Sequence, residues 1–397
     1  MKVLTLLTTL SLLIVGMCFL LIFWAGSTDE VHTTTNVVVN DLGNLRSRYI
    51  NAEREYLLKM AENVKVGIAA MVTCSPNFEF WLDFHMNYLK VDMLVLGVED
   101  CNGLKPLLAK YGNKIHATYH NKEDIDIRDN YHSMMPRQNI TVTRGLEMAK
   151  ERNVQFLFHI DADELLYVGP GHANLPVANE SDPTSTLGLP RWVLLRKHLV
   201  DVEPVYSNIH MHNYEAVYPK IHFDPNECFN TDKFLDCQYL GKCKNYGNGK
   251  SVARVGSEGF GYWMGGIKFH GPHYFTGRSF QMPNYRLAVL HFDSCTYEQY
   301  LHKFRLLSQA SEKEIDKIPF PFYKQTIAQL RRCRNIPEEH GELLKECESK
   351  LTDIYKWHRV RPYGTWRARQ IDYAGPGAEM KYEDEAEVAK KRDRGQG

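Results

Sequence analysis

Short apolar runs alternate with segments of helical periodicity along the first half of the chain. Each run is continuous, as expected for a strand buried on both faces of a sheet. The predicted strands are 66–73, 91–98, 114–119 and 154–160, and the predicted helices are 78–89, 104–111 and 140–152. Strands and helices that alternate in this way predict an α/β fold, a mostly parallel sheet with helices on both faces.

The pattern loosens after about residue 170, where Pro, Gly, Asn and aromatic residues become frequent. Further along we predict strands at 191–195 and 288–292 and helices at 298–308 and 322–348. From Gly375 the chain is charged and poor in apolar residues, which is typical of disorder. We therefore expect a main domain at 64–310, a helical extension at 311–374 and a disordered tail at 375–397.

The N-terminal segment from Val3 to Trp24 contains no charged residue. About 20 apolar residues match the thickness of a bilayer core, whereas a cleavable signal peptide usually has an apolar run of roughly 7–15 residues. We therefore expect an uncleaved transmembrane anchor within residues 1–26. The small residues Ala25-Gly26-Ser27 leave cleavage open as the alternative.

The charges that flank this segment predict its orientation. Lys2 precedes it and Asp29 follows it, so the positive-inside rule places residues 28–397 in the lumen. Residues 27–63 are polar and predict a stem that holds the main domain away from the membrane. The sequence thus predicts a single-pass type II protein of the Golgi or another secretory-pathway membrane.

Cysteines and glycosylation motifs agree with a lumenal location. Eight cysteines follow the predicted span, and an even number in an oxidising compartment indicates disulfides. Cys228, Cys237 and Cys243 are close enough in sequence to suggest a local link. Asn139 and Asn179 begin Asn-x-Ser/Thr motifs for N-glycosylation, and we expect Asn179 to be the better acceptor.

Net charge argues against one class of partner. Lys plus Arg and Asp plus Glu number 48 each, so the formal net charge is zero. Nucleic-acid binding needs clustered positive charge, so we expect no nucleic-acid partner.

The strongest chemical signal is the pair Asp161 and Asp163, which directly follows the apolar strand 154–160. Ligands of open α/β sheets bind at the carboxyl ends of the strands. Carboxylates two residues apart project from the same side of an extended chain, and hard divalent cations prefer oxygen ligands and substrate phosphates. The sequence therefore predicts a divalent-cation site that binds the diphosphate of a nucleotide-linked substrate.

Three sequence blocks resemble the type A fold glycosyltransferases of the family 2-like and family 92-like groups. The first is Trp81 to His85 with the following strand, and the second is the Arg137-Gln138 helix leading into residues 158–164. The third combines residues 250–254, His270 to His273, and residues 290–292 with Lys303. The resemblance implies a metal-dependent glycosyltransferase, a hexosyltransferase in the first instance, whose donor is a nucleotide sugar and whose acceptor is a glycan or glycoconjugate.

The resemblance implies specific metal ligands. Asp161 and Asp163 would hold the metal, Mn²⁺ or Mg²⁺, and a histidine would add a third protein ligand. His273 is the preferred candidate for it, with His270 and His291 as the alternatives.

The resemblance also implies donor contacts. Glu99 or Asp100 would lie near the nucleoside, Gln138 would approach the donor, and Lys250 would meet the diphosphate as a point charge. The block after the first strand departs from the family pattern at residues 74–77 and at Phe80, which leaves the donor nucleotide undetermined.

An inverting transfer requires a carboxylate that removes the proton of the acceptor hydroxyl. Glu258 and Asp293 are the candidates for this base. Two other functions remain open at this point. One is a lumenal carbohydrate-binding protein that keeps the fold without catalysis, and the other is a metal-dependent hydrolase.

Overall fold

The structure is a computed structural model that describes fifteen stretches of the chain. The described residues are 45, 47–73, 75–99, 101–120, 130–169, 189–218, 224–231, 233–236, 248–256, 267–270, 273–318, 320–337, 339–356, 368–371 and 380–382. The chain divides into two compact units at Lys59–Met60. The predicted membrane span and the Asn179 motif lie outside the described residues. So does the predicted disordered tail 375–397, except for residues 380–382, which form a strand. None of the helices in the described ranges is both long enough and apolar enough to cross a bilayer.

Fifteen strands are described in the second unit. In chain order they are β1 (Val66–Thr73), β2 (Met93–Glu99), β3 (Ile115–His120), β4 (Phe156–His159), β5 (Glu164–Val168), β6 (Asn208–Met211), β7 (Asn213–Ala216), β8 (Lys233–Asp236), β9 (Lys250–Arg254), β10 (Phe269–His270), β11 (Tyr274–Phe275), β12 (Ser279–Gln281), β13 (Leu287–His291), β14 (Ala368–Ile371) and β15 (Met380–Tyr382).

The helices are α1 (47–62), α2 (Phe78–Asp83), α3 (Lys105–Ala109), α4 (Asn130–Glu151), α5 (Arg191–Val200), α6 (Tyr297–Leu307), α7 (Glu312–Lys317), α8 (Pro321–Arg334) and α9 (Gly341–Tyr355). A π-helical turn, Phe84–Tyr88, continues α2, and short 3₁₀ turns cover Asn102–Leu104, Gly112–Lys114 and Pro225–Asn230.

The larger sheet has seven strands in the order β12-β6-β9-β4-β1-β2-β3. Neighbouring strands are parallel except where β9 pairs with β4 and β6, so the predicted mostly parallel sheet is confirmed. The strands β1, β2 and β4 are apolar and buried along almost their whole length. Helix α4 packs against β1 and β2 through Val142, Leu146 and Ala149, which join Ala69 and Val95 in one core cluster.

A second sheet of six strands, in the order β15-β14-β8-β7-β13-β5, was not predicted. Strand β13 pairs with β5 antiparallel and with β7 parallel. Both registers place His291 in the middle of a row, opposite Glu164 on one side and Glu215 on the other. This sheet therefore brings distant segments of the chain to the residues that follow β4.

The C-terminal helices have a core of their own. Tyr300 and Phe304 of α6 pack with buried residues of α8 and α9, including Phe322, Leu351 and Tyr355. The predicted helix 322–348 is two helices, joined by a disulfide between Cys333 and Cys347. Helix α6 therefore shares a core with the helices of the predicted extension 311–374.

The strand predicted at 191–195 is wrong, because these residues begin helix α5. Pro190 precedes the helix with extended backbone angles, and the helix continues beyond the apolar run 192–195 through the charged residues Arg196 and Lys197. Arg196 stabilises the position of α5 by donating to the carbonyl oxygens of Val64 (2.8 Å) and Lys90 (2.6 Å). A four-residue apolar run fits a strand and a buried helix equally well, and the tertiary hydrogen bonds decide between them.

The disulfides correct the expectation for Cys228. This residue pairs with Cys295, 67 positions along the chain, rather than with Cys237 or Cys243. Cys295 directly follows Asp293 and Ser294. The bond therefore links the 3₁₀ turn Pro225–Asn230 to the segment that leaves β13.

Acid is expected to destabilise this fold from about pH 6.5 downwards, because two buried histidines resist protonation in the folded chain. Burial lowers the pKa of His85 to about 3, although its hydrogen bond to Trp81 raises it in part. Burial likewise lowers the pKa of His198 to about 4. The unfolded chain therefore takes up protons near pH 6.5 that the folded chain does not, so stability falls as pH drops from about 6.5 towards 4.

Urea unfolding at pH 7 and pH 5 measures this effect. The His85→Gln variant keeps a hydrogen-bond donor and has no titrating ring, so its unfolding midpoint should change less between the two pH values. An equal change in both proteins would exclude His85 as a cause.

Candidate functional site

The predicted Asp161 lies at the carboxyl edge of the larger sheet. It follows β4 after one residue, and Glu99 ends β2 at the same edge, with β1 between the two strands. Strand β9 runs antiparallel to β4 with Phe158 opposite Val252, so its first residue, Lys250, arrives at the same edge. The strand order alone thus brings together residues that are far apart in sequence.

Asp161 is held by three side chains. The ammonium of Lys250 lies 2.5 Å from its Oδ2, and Gln138 donates from Nε2 to its Oδ1 at 3.1 Å. Its backbone N–H donates to Oε2 of Glu164 at 2.7 Å, and the same oxygen is 3.7 Å from the Lys250 ammonium. Lys250 and Glu164 are fully buried.

Electrostatics set the protonation of this cluster. Burial alone would raise the pKa of Asp161, but Lys250 outweighs it and holds the pKa well below its usual range. Burial would lower the pKa of Lys250, but Asp161 and Glu164 raise it above its ordinary value. Burial raises the pKa of Glu164 to about 8, and Lys250 offsets only part of this. At neutral pH a carboxylate, an ammonium and a mostly protonated carboxyl therefore share the site with no net charge.

This geometry corrects the role predicted for Lys250. Its ammonium has no exposed surface and is bound by Asp161, so it does not reach a diphosphate in the arrangement described. It stabilises the first aspartate from inside the sheet. The sequence did not indicate this, because it does not reveal that β9 inserts next to β4.

His159 also belongs to this cluster and was missed by the sequence analysis. Its Nδ1 lies 3.1 Å from the carbonyl oxygen of Ala69, which fixes Nδ1 as the donor. Its Nε2 lies 4.0 Å from Oδ1 of Asp161 and has no hydrogen-bond partner among the described residues. Burial, with the Lys250 charge, lowers the pKa of His159 to about 3, so the ring is neutral. The signal available was its place two residues before Asp161 on an extended strand.

Asp163 faces a different histidine. Its Oδ2 lies 3.7 Å from Nε2 of His291, and the other ring nitrogen of His291 lies 2.9 Å from Oε1 of Glu215. The Asp163 side chain is 44% exposed, whereas His291 and Glu215 are buried. Burial would lower the pKa of His291, but Glu215 and Asp163 together raise it well above its ordinary value.

Three histidines were predicted as candidate metal ligands. Among those whose side chains are described, His291 is the one that lies within 4 Å of Asp163. His273, the preferred candidate, donates from Nδ1 to the carbonyl of Gly249 at 2.8 Å. Burial, with Lys250, lowers the pKa of His273 to about 4. The side chain of His270 lies outside what the structure describes.

The remaining predicted site residues are Glu99 and Asp100 as donor contacts and Glu258 and Asp293 as candidate bases. Glu99 forms an ion pair with Arg137 of α4, and both side chains are almost entirely buried. Asp100 and Glu258 lie outside the described residues. Asp293 is 3% exposed, and its Oδ1 accepts hydrogen bonds from Lys303 (2.8 Å) and Ser294 (2.7 Å). These bonds weaken the case for Asp293 as a base, because they stabilise the unprotonated carboxylate.

Gly249 is required for the position of Lys250. Its φ of +62° lies in the left-handed region, and an added Cβ would lie 1.9 Å from the carbonyl oxygen of Met211. We expect Gly249→Ala to lower the free energy of unfolding by about 2 kcal/mol or more, since the conformation alone costs about 1–2 kcal/mol. Chemical denaturation measures it, and Gly103→Ala, at an open position, is the control. Equal stability of the two variants would contradict the described turn.

Comparisons with known proteins add little to this geometry. No model of a protein family matches the chain, and no curated protein matches it. Among solved structures, the chain is similar to the crystal structure of 4-diphosphocytidyl-2C-methyl-D-erythritol synthase from Anaerococcus prevotii DSM 20548, at 14% identity and a TM-score of 0.22. The similarity covers 42% of this chain and 62% of that one, and a TM-score this low supports no assignment. The resemblance to family 2-like and family 92-like transferases stays a prediction from the sequence motifs.

Proposed function

We propose that this chain is a glycosyltransferase of the type A fold that moves a sugar from a nucleotide-sugar donor to a glycan or glycoconjugate acceptor. The observation that supports it most is the pair of acidic residues after β4, with Asp161 bound by the buried Lys250 and Asp163 beside His291. In open α/β sheets this edge is where substrates bind.

The residues at Asp163 fit a divalent cation such as Mn²⁺ or Mg²⁺. They offer a carboxylate oxygen and an imidazole nitrogen that a bound cation would have to deprotonate, because the raised pKa of His291 keeps its ring protonated at neutral pH. The contact of Glu215 with Nδ1 directs Nε2 of His291 towards Asp163. A carboxylate that orients a histidine in this way is common at metal sites. Within the described ranges, no group of three or more His, Cys, Asp or Glu side chains is arranged to hold a metal ion. The donor diphosphate would complete the coordination, as is usual for Mg²⁺.

In this proposal each residue has a separate task. The bound cation would stabilise the charge that develops on the departing diphosphate. Asp163 and His291 would hold that cation. Lys250, Gln138 and the buried carboxyl of Glu164 keep Asp161 in place, so that the backbone turn carrying Asp163 has one conformation.

The location also remains a proposal. We place the chain in the Golgi or another secretory-pathway membrane as a single-pass type II protein with its transferase domain in the lumen. The uncharged segment 3–24 and its flanking charges support this. The disulfides Cys228–Cys295 and Cys333–Cys347 agree with an oxidising compartment.

The ion pair between Lys250 and Asp161 favours a second candidate, a lumenal carbohydrate-binding protein that keeps the fold without catalysis. An ammonium at 2.5 Å already neutralises the first aspartate, which disfavours the predicted sharing of one cation between Asp161 and Asp163. Such a protein would bind glycans equally well with and without a metal and a nucleotide.

Donor turnover distinguishes the two candidates. The full-length chain in mild detergent is incubated with UDP- and GDP-linked sugars and a mixed glycan acceptor, and release of nucleoside diphosphate is measured with Mn²⁺ and with EDTA. A transferase releases nucleoside diphosphate only with metal and faster with acceptor. Metal-independent glycan binding without any release would support the second candidate instead.

A further inference from the structure

Lys303 is a cation at the open side of the site to which the sequence analysis gave no role. It lies on α6, and its ammonium is 2.8 Å from Oδ1 of Asp293 and 5.1 Å from the ring centroid of Tyr323. Burial would lower the pKa of Lys303, but Asp293, Tyr323 and Asp163 together raise it above its ordinary value. The ammonium is therefore charged at physiological pH and lies within the electrostatic influence of Asp163.

The support beneath Lys303 is rigid. Asp293 is buried, and it also accepts from the hydroxyl of Ser294, whose φ of +52° is unusual for a residue with a side chain. The next residue, Cys295, is bonded to Cys228. Phe292, on the other side, donates its N–H to the carbonyl oxygen of Asp163 at 2.8 Å. Asp293 and Asp163 are therefore connected through a short, fixed piece of backbone.

Accessibility distinguishes Lys303 from the other cations described near this edge. The side chains of Lys250 and Arg137 are 1% and 9% exposed, and each is paired with an acidic residue of the sheet edge. The Lys303 side chain is 37% exposed. A lysine ammonium has three donors, so its contacts with Asp293 and with the Tyr323 hydroxyl leave one donor for a further anion.

We propose that Lys303 binds the diphosphate of the donor on the side opposite the Asp163–His291 pair, with Asp293 as its positioning residue. This inference rests on the proposed function. Two roles predicted from the sequence motifs change. Lys303 takes the diphosphate contact that was predicted for Lys250, and Asp293 positions Lys303 instead of acting as a base. The diphosphate group is recognised by its negative charge, so binding of nucleoside diphosphates and binding of inorganic pyrophosphate should both depend on Lys303.

Calorimetric titration of the full-length chain in mild detergent tests this. The probes are UDP, GDP, the corresponding nucleosides and inorganic pyrophosphate, each with Mn²⁺. We expect Lys303→Ala to weaken binding of the diphosphates by about 10–100-fold, as for loss of a charged hydrogen bond, and to leave nucleoside binding unchanged. Lys303→Arg, which keeps the charge with a different shape, should lose less.

Two further variants separate binding from folding. Lys303→Ala/Asp293→Asn removes both charges, so no buried carboxylate is left without its partner, and it should show the same loss for diphosphates. Lys197→Ala is the matched control, since Lys197 is 34% exposed and paired with Asp201 on α5. It should bind all probes like the unmodified chain.

The possible failures differ from one another. Diphosphate binding that is intact in the unmodified chain and unchanged in both Lys303 variants would overturn the role of Lys303 alone. Equal losses for nucleosides and diphosphates would also overturn it. An unmodified chain that binds pyrophosphate through Lys303 but no nucleotide would contradict the proposed function and keep the anion site. No binding of any probe by the unmodified chain would contradict both.

Discussion

Lys250→Met is expected to lower the free energy of unfolding, by less than the roughly 3–5 kcal/mol that removal of one partner from a fully buried ion pair costs, because the Asp161 side chain is 32% exposed. The substitution keeps most of the side-chain volume but leaves the Asp161 carboxylate beside a buried apolar group. Glu164, which is fully buried 3.7 Å from the same ammonium, loses the charge that offsets its desolvation. Both carboxyl groups then favour protonation.

Chemical denaturation of the single and double variants measures this. Asp161→Asn in the Lys250→Met background removes the remaining charge and should recover part of the lost stability. A double-mutant cycle gives the coupling between the two residues. Losses that simply add, or a Lys250→Met variant as stable as the unmodified chain, would show that the ion pair is not formed as described.

Asp163→Asn should abolish metal-dependent binding of nucleoside diphosphates while leaving the fold intact. The side chain is 44% exposed, so neutralising it leaves no buried charge without a partner. We expect a larger loss than the roughly 10–100-fold that follows removal of a group that merely supports a metal ligand. Asp161→Asn, at a buried contact of Lys250, should instead lower stability first.

The matched control is Asp353→Asn, because Asp353 is exposed and loosely paired with Lys356 on α9. Titration of Mn²⁺ with UDP and with GDP measures the binding of each variant. Retained metal-dependent binding in Asp163→Asn would exclude Asp163 as a ligand. A loss in the control would point to a non-specific effect of surface charge.

The strands that carry the site were predictable because they are continuous apolar runs in a regular order. The runs at 66–73, 91–98, 114–119 and 154–160 overlap β1 to β4, and the carboxyl-edge position of Asp161 followed from them. These elements depend on local pattern and on sequential parallel pairing, which a single sequence displays directly.

The second sheet and the surroundings of both aspartates were not predictable in the same way. Lys250 reaches Asp161 across 89 residues, and His291 reaches Glu215 across 76 residues. These contacts depend on pairing between short strands that are distant in the chain. Such strands show little periodicity, and their register is fixed only when the sheet is complete. The sequence motifs assigned roles by their order along the chain to Lys250, Asp293 and His273. That order does not show which side chains are in contact.

The thermal shift of the full-length chain with nucleotide shows whether the chain has a metal-dependent nucleotide site that includes Asp163. Melting temperature is recorded with UDP or GDP in Mn²⁺ and again in EDTA, for the unmodified chain and for Asp163→Asn. A ligand that binds only the folded state raises the melting temperature. We expect a metal-dependent increase in melting temperature with at least one nucleotide, and we expect this increase to disappear in Asp163→Asn. No shift with either nucleotide in the folded, unmodified chain would contradict a nucleotide-sugar site at the carboxyl edge of the sheet.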